Sequence, residues 1–194
     1  MKIIKKHNKV AHYTRVDAIL KEVANWISNG DKVLDVGCGD GLLSKKLTKL
    51  KNINIEGVET VKQPDSLIPI KLFDGKILPY PDKSFDKILL IDVLHHSRNP
   101  ELLLKECSRV AHYVIIKDHC WRNFINLGFL YLSDYISNKP KGVDLPMNFI
   151  HRKNWEKLLK DCDLNLRVYD WNWKQKEYFD PVKHVFFFCV SKDR

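Results

Sequence analysis

The residues best suited to binding a ligand lie in the segment 33–41, which reads VLDVGCGDG. A short apolar run ends at Asp35, and Gly37, Gly39 and Gly41 follow it. Glycine lets the backbone turn tightly and approach a ligand where a side chain would collide. Because open α/β sheets bind ligands at the carboxyl ends of their strands, this segment predicts a site for a nucleotide-like cofactor.

Charge distinguishes between the cofactors that such a loop can hold. Asp35 and Asp40 place carboxylates around the glycines, where they would repel a pyrophosphate. The strand is not followed by Gly-Lys-Ser or Gly-Lys-Thr, which excludes a P-loop. S-adenosylmethionine has no phosphate and carries a sulfonium and an ammonium group, so the electrostatics favour this cofactor. Glu59, at the end of the next apolar run, is placed to bind ribose hydroxyls, although an isolated glutamate there is equally consistent with a solvated acid.

Two further pairs of titratable residues are candidates for proton transfer. His95 and His96 follow the fourth apolar run, and Asp118 and His119 follow the fifth. A neutral imidazole can act as a general base, so His119 and His95 are the catalytic candidates, with Asp118 or Asp92 orienting them. For each histidine the alternative is a capping ring or a buried, hydrogen-bonded one.

The same side chains raise the question of a metal ion. Asp92, His95, Asp118 and His119 offer carboxylate and imidazole ligands of the right kind. They form no close-spaced ligand motif, and alkyl transfer from a sulfonium does not require a Lewis acid. The sequence therefore predicts a site without metal.

Apolar runs alternate with segments of helical period, which predicts an α/β fold with a parallel sheet covered by helices. The expected strands are 32–36, 53–58, 67–72, 85–91, 113–117, 164–171 and 184–190. Pro69 suits the third of these to a sheet edge. Residues 118–148 are rich in aromatic side chains and longer than an ordinary connection, which predicts a helical lid over an apolar acceptor pocket.

Four pieces of the chain occur in a characteristic order. They are VLDVGCGDG, the acid Glu59, the run FDGKILPYPDKSFDKILLIDVLHH at 73–96, and the helix LLLKECSRV with the strand YVIIK. With these pieces the chain resembles the class I S-adenosylmethionine-dependent methyltransferases of the small-molecule type. The resemblance implies a Rossmann-like sheet of seven mostly parallel strands, helices on both faces and an antiparallel last strand. The lid expected from the aromatic segment would then be an insertion after strand five. Strand four is followed by neither an Asn-Pro-Pro-Tyr-like tetrad nor a Pro-Cys pair, which speaks against methylation of DNA bases.

The resemblance also implies roles at the cofactor site. The three glycines would wrap the methionine moiety, Glu59 would hold the ribose, Asp74 would contact the adenine amino group and Asp92 would line the cleft. Apart from the resemblance, the position of Arg15 ahead of the main body of the leading helix and its planar guanidinium suit it to pair with the methionine carboxylate; the alternative is a solvated arginine at a helix start. The full expected set is Asp35, Gly37, Cys38, Gly39, Gly41, Glu59, Asp74, Gly75, Asp92 and Arg15.

Composition limits the remaining choices. The 194 residues suit one domain, 1–194, and the chain has neither a run long enough to span a membrane nor a secretory signal. Five scattered cysteines without CxxC spacing indicate a reducing cytoplasm. The net charge of +9 leaves nucleic acid as a second class of partner, although the basic residues are dispersed.

These observations together predict a cytoplasmic enzyme that transfers a methyl group from S-adenosylmethionine to an oxygen or nitrogen of a small molecule. The alternatives are an RNA methyltransferase that uses the basic surface and a non-catalytic binding subunit of the same fold. The acceptor and the oligomeric state are not encoded in these motifs.

Overall fold

One mixed sheet with helices on both faces forms the framework of the protein. The computed structural model describes residues 2–63, 65–138, 146–173 and 183–192. The strands are β1 Lys32–Val36, β2 Asn54–Glu59, β3 Ile70–Leu72, β4 Phe85–Ile91, β5 Ala111–Trp121, β6 Ile150–His151, β7 Leu164–Trp173 and β8 His184–Ser191. The helices are α1 Lys2–Val23, α2 Leu42–Leu50, α3 Pro100–Val110, α4 Phe124–Asn138 and α5 Trp155–Asp161, with short 3-10 turns at Ala24–Trp26, Leu94–His96 and Arg152–Asn154.

The strands lie in the order β3-β2-β1-β4-β5-β8-β7, and β6 pairs with the end of β5 outside this path. Pairing from β3 to β5 is parallel. Strand β8 is antiparallel to both β5 and β7. The expected mostly parallel sheet with an antiparallel last strand is therefore confirmed, with the two-residue β6 as an addition.

Successive strand residues point to opposite faces of the sheet and bury two separate cores. Leu34 of β1 and Phe187 of β8 belong to the core that packs against α3 and α5. Val33 and Phe186, one residue earlier in each strand, belong to the core that packs against α1 and α2. The near-continuous apolar runs of the sequence arise because both faces of this sheet are covered.

Strand β5 is longer than the sequence indicated, and this changes the position of two site residues. The sequence predicts a strand over 113–117, whereas the structure extends it from Ala111 to Trp121. Asp118 and His119 therefore lie inside the strand rather than after it, because antiparallel pairing with β8 continues to His119. The expected lid at 118–148 accordingly begins too early, since its first four residues belong to the sheet.

Helix α4 lies within the expected lid but makes few buried contacts. Leu130 and Asp134 are buried, whereas Phe124 and Ile125 are 82% and 72% exposed. Phe129, Tyr131 and Tyr135 are also exposed, so these side chains do not form a core of their own. Residues 139–145 of the expected lid lie outside the described residues. Among the described residues, none of the helices combines the length and apolarity needed to cross a bilayer.

Candidate functional site

The glycine loop lies between β1 and α2, at the carboxyl edge of the sheet. Gly37 has a φ of 70° and Gly39 a φ of 57°, a region that favours glycine. A Cβ on Gly37 would lie 2.6 Å from Cγ2 of Val93, so close packing also excludes a side chain there. A Cβ on Gly39 would meet no described atom within 4 Å. Gly39 therefore presents bare backbone to open space, as a cofactor loop requires.

Asp35 supports this loop from within the fold. Its side chain is buried, and its Oδ2 accepts a hydrogen bond of 2.5 Å from the Ser44 hydroxyl of α2. Burial raises the pKa of Asp35 to about 7, against an ordinary value of 3.8. The hydrogen bond to Ser44 and the proximity of Glu59 have smaller, opposing effects on this pKa. Asp35 thus links β1 to α2.

Glu59 and the loop containing Asp74 lie beside the glycines. Oε1 of Glu59 accepts a hydrogen bond of 2.8 Å from the Gly39 amide, and its Oε2 accepts one of 3.0 Å from the Thr60 amide. The Phe73 amide donates to the Glu59 carbonyl at 3.0 Å, which brings the next loop alongside. The three expected contacts to methionine, ribose and adenine are therefore neighbours at the ends of β1, β2 and β3.

Asp74 is exposed and its carboxylate organises its own loop. Oδ1 accepts hydrogen bonds from the amides of Lys76 at 2.8 Å and Ile77 at 2.9 Å. These bonds, the Ile77 bond first, lower the pKa of Asp74. Gly75 follows with a φ of 76°. Cys38, the remaining loop residue of the expected set, is half-buried, and burial raises the pKa of its thiol.

Asp92 follows β4 in a left-handed conformation, with a φ of 58°. Its carboxylate accepts hydrogen bonds from Lys117 Nζ at 2.7 and 2.8 Å and pairs with the Arg15 guanidinium. Although burial opposes ionisation, Lys117 and Arg15 hold the pKa of Asp92 well below its ordinary value.

Arg15 contacts a residue that the sequence did not indicate. The structure pairs Arg15 with Asp92 across 77 positions of sequence, and its expected pairing with a methionine carboxylate stays a prediction. Its position differs from the expected one, because Arg15 lies inside α1 rather than before it. Lys117, which the sequence reading missed, is fully buried beneath the same carboxylate. A lysine inside an apolar strand was the available signal, since buried lysines are rare unless paired.

Four imidazole rings form a contiguous row beside Asp92. Ring centroids are 4.1 Å apart for His96 and His95, 4.7 Å for His95 and His119, and 4.5 Å for His119 and His184. Phe149 stacks on His95 at 5.2 Å. His95 and His119 lie next to each other, whereas His184 was not among the residues predicted from the sequence. Its place follows from the antiparallel register that sets His119 opposite His184.

Asp118 anchors this row from the centre of β5. Its Oδ1 lies 2.5 Å from His95 Nδ1 and accepts a hydrogen bond of 2.6 Å from the His119 amide. Its Oδ2 accepts one of 2.8 Å from the Leu94 amide. Asp118 thus has three hydrogen-bond partners and only 1% exposure, which suits it to orient its neighbours.

The two candidate bases differ in their surroundings. His95 is buried, and the Asp118 carboxylate outweighs that burial and raises the pKa of His95. His119 is partly exposed, with Nε2 3.7 Å from Asp92 Oδ1, and burial of its ring nitrogens lowers its pKa well below the ordinary value. Within the described part of the chain, Nδ1 of His119 has no hydrogen-bond partner.

The glycine loop, the acids at the strand ends and the order of the seven strands in the mixed sheet together define a class I S-adenosylmethionine-dependent methyltransferase domain. Residues 15–158 match the model of the family described as methionine biosynthesis protein MetW, and the chain belongs to that family.

Curated relatives include enzymes of both oxygen and nitrogen methylation. The 27-O-demethylrifamycin SV methyltransferase of Amycolatopsis mediterranei is 26% identical over 94 residues, which are 42% of this chain and 35% of that enzyme. The ubiquinone biosynthesis O-methyltransferase of Coxiella burnetii is 31% identical over 150 residues, covering 68% of this chain and 63% of that one. The chain thus spans less than two thirds of either relative.

Solved structures show the same fold. A SAM-dependent methyltransferase of Thermotoga maritima superposes with a TM-score of 0.67 at 21% identity and covers 98% of this chain and 97% of its own. The YcgJ protein of Bacillus subtilis superposes with a TM-score of 0.70 at 14% identity, over 94% of this chain and 100% of its own. At these identities the similarity establishes the fold alone.

Proposed function

We propose that this chain transfers the methyl group of S-adenosylmethionine to an oxygen or nitrogen of a small molecule. The observation that carries this proposal is the contact of Glu59 with the Gly39 amide, which holds the acid proposed to bind ribose against a loop of exposed backbone. The names of relatives, a ubiquinone biosynthesis O-methyltransferase and an ajmaline N-methyltransferase among them, support the reaction class.

S-adenosylmethionine supplies an activated methyl group, so the protein needs chiefly to hold and align the reactants. The backbone around Gly39 would take the methionine moiety, Glu59 the ribose hydroxyls and Asp74 the adenine amino group. Asp92 is neutralised by Lys117 and Arg15 and would form one wall of the cleft. The carboxylates on this edge favour a cationic cofactor over a phosphate.

The acceptor would approach from the histidine row at the ends of β4 and β5. His119 is the better candidate for a general base because its ring is partly exposed and its Nε2 lies 3.7 Å from Asp92 Oδ1. His95 is less suited, since its Nδ1 is held by Asp118 and its Nε2 lies 3.9 Å from Asp134. Asp118 would act as a positioning residue that fixes both histidines.

Cofactor binding is tested by titration calorimetry with S-adenosylmethionine and its demethylated product, with a nicotinamide dinucleotide as the competing class. We expect both sulfur compounds to bind and the dinucleotide to bind far more weakly. Glu59→Ala and Asp74→Ala should each weaken binding by roughly 1 to 3 kcal/mol. Glu156→Ala, an exposed acid on α5, is the matched control and should bind like the unaltered protein. Wild-type affinity in both site variants would refute these roles.

The acceptor class is tested with methyl-labelled S-adenosylmethionine and a cell extract. Label is counted separately in the small-molecule and RNA fractions. We expect transfer to small molecules that depends on added protein. Transfer into RNA alone would favour the alternative that uses the basic charge, and transfer into neither fraction would favour a non-catalytic binding subunit.

A further inference from the structure

Three side chains next to the cleft converge in a way that methyl transfer does not explain. His95 and His96 lie in the 3-10 turn after β4, and Asp134 lies on α4. Asp134 Oδ1 lies 3.9 Å from His95 Nε2 and 3.7 Å from His96 Nε2. All three ligand atoms lie within 4.8 Å of one another, and the three side chains are mostly buried. Two imidazoles and one carboxylate form a common ligand set for transition metals.

Asp118 prepares His95 for such a role. Because Asp118 Oδ1 lies 2.5 Å from Nδ1 of His95, the proton of the neutral ring is held on Nδ1. Nε2 then presents its lone pair towards Asp134. Metal-binding histidines usually donate their second N–H to a carboxylate in this manner. Asp118 is itself fixed by the amides of Leu94 and His119, so the orientation is rigid.

A second set of potential ligands lies nearby, but its charge is already balanced. Asp92, His119 and His184 also bring their ligand atoms within 4.8 Å of one another. Asp92, however, already forms ion pairs with the ammonium of Lys117 and the guanidinium of Arg15. A further cation there would be repelled by both groups. The set around His95 includes the carboxylate of Asp134, and the carboxylate of Asp118 contacts the other side of the His95 ring.

We propose that His95, His96 and Asp134 bind a divalent transition-metal ion of the kind that prefers imidazole, such as Zn²⁺, Fe²⁺ or Co²⁺. A tetrahedral ion with bonds of about 2.1 Å sets its ligands about 3.4 Å apart, so Asp134 Oδ1 needs to move closer to each histidine nitrogen by about half an ångström or less. The remaining positions are left for water or an exogenous oxygen ligand. This proposal departs from the expectation of a site without metal and stands independently of the methyl-transfer proposal.

The test uses the full-length protein after treatment with a chelator. Zn²⁺ is titrated by calorimetry, and Co²⁺ by its visible absorption. We expect one ion per chain and a cobalt spectrum without sulfur-to-metal charge-transfer bands, because the ligands are nitrogen and oxygen. His96→Ala and Asp134→Asn should each weaken binding by at least the roughly 10- to 100-fold loss typical of outer-shell partners. His112→Ala, an exposed histidine on β5, is the matched control.

Each outcome decides the proposal. Equal Zn²⁺ affinity in His96→Ala and His112→Ala would overturn it, as would sulfur-to-cobalt bands that indicate a cysteine site. Absence of binding in a folded protein, with Asp134→Asn changing only thermal stability, would show instead that His95 is held between two carboxylates as an internal ion pair. Far-ultraviolet circular dichroism verifies that each variant is folded. If Asp134→Asn unfolds, His96→Ala still decides the test, because this variant retains the buried Asp118–His95 contact. A parallel titration with S-adenosylmethionine reports on the cofactor site separately.

Discussion

At the residue scale, the carboxylates of this protein are distinguished by their surroundings. The side chain of Asp92 is buried but ionised because Lys117 and Arg15 surround it, whereas Asp35 is buried and accepts a hydrogen bond from the Ser44 hydroxyl. The pKa values of these two aspartates therefore lie far apart, although the side chains are of the same type. This difference makes the role of Asp35 accessible to measurement.

Asp35 should make folding stability depend on pH. Its pKa is raised from 3.8 to about 7 in the folded protein, so the native state holds this proton more tightly than the unfolded chain. Stability should therefore fall between about pH 4 and pH 7, by an amount on the order of 4 kcal/mol. Asp35→Asn removes this effect. Urea unfolding at pH 5 and pH 8 should show a smaller loss for Asp35→Asn than for the unaltered protein, and equal losses would contradict the assignment.

His119 should matter for turnover more than for cofactor binding. A general base contributes about 100-fold or more, so His119→Gln should lower kcat by at least that factor at saturating cofactor. The affinity for S-adenosylmethionine should remain unchanged, and His112→Gln serves as the exposed control on the same strand. A loss below about fivefold would leave alignment of the reactants as the better account.

At the element scale, the helices differ in how firmly they are attached. Helix α3 begins where the sequence predicts, at Asn99-Pro100-Glu101, and Asn99 Oδ1 accepts a hydrogen bond of 3.0 Å from the Leu102 amide. Asn99→Ala should lower the free energy of unfolding by about 1 kcal/mol through loss of this cap. Asn99→Asp keeps an acceptor and should retain most of the stability. Chemical denaturation of the two variants distinguishes capping from a general effect at this site.

Helix α4 has the opposite character. It is attached through Leu130 and Asp134, while much of its apolar surface is exposed. We expect its amides to exchange faster than those of β4 in the free protein, and to slow when cofactor and acceptor bind if the helix closes as a lid. Hydrogen exchange followed by mass spectrometry measures this. Slow exchange already in the free protein would make α4 a fixed cap.

At the scale of the whole molecule, ligand binding at the sheet edge should stabilise the entire fold. The proposed cofactor contacts connect the ends of β1, β2 and β3. A ligand present at 100 times its Kd stabilises the native state by about 2.7 kcal/mol, which corresponds to a rise in Tm of roughly 5–10 °C for a chain of this size. Thermal unfolding with and without S-adenosylmethionine tests this. Glu59→Ala at the same concentration should show a smaller rise.

The sequence by itself determined the local features of this protein. The glycine loop, the strand alternation, the acid Glu59 and the start of α3 all depend on residues close together in the chain. Spacing and side-chain type suffice there, because a turn that needs glycine or a helix that needs a cap is specified within a few residues.

Only the tertiary structure decided the contacts that complete the site. The Arg15–Asp92 pair, the burial of Lys117 and the meeting of Asp134 with His95 and His96 each join distant segments. Insertion of β8 between β5 and β7 sets His184 opposite His119 and extends β5 past its apparent end. Such contacts depend on strand order and register, which arise from the packing of the whole sheet and leave no local pattern of residues to read.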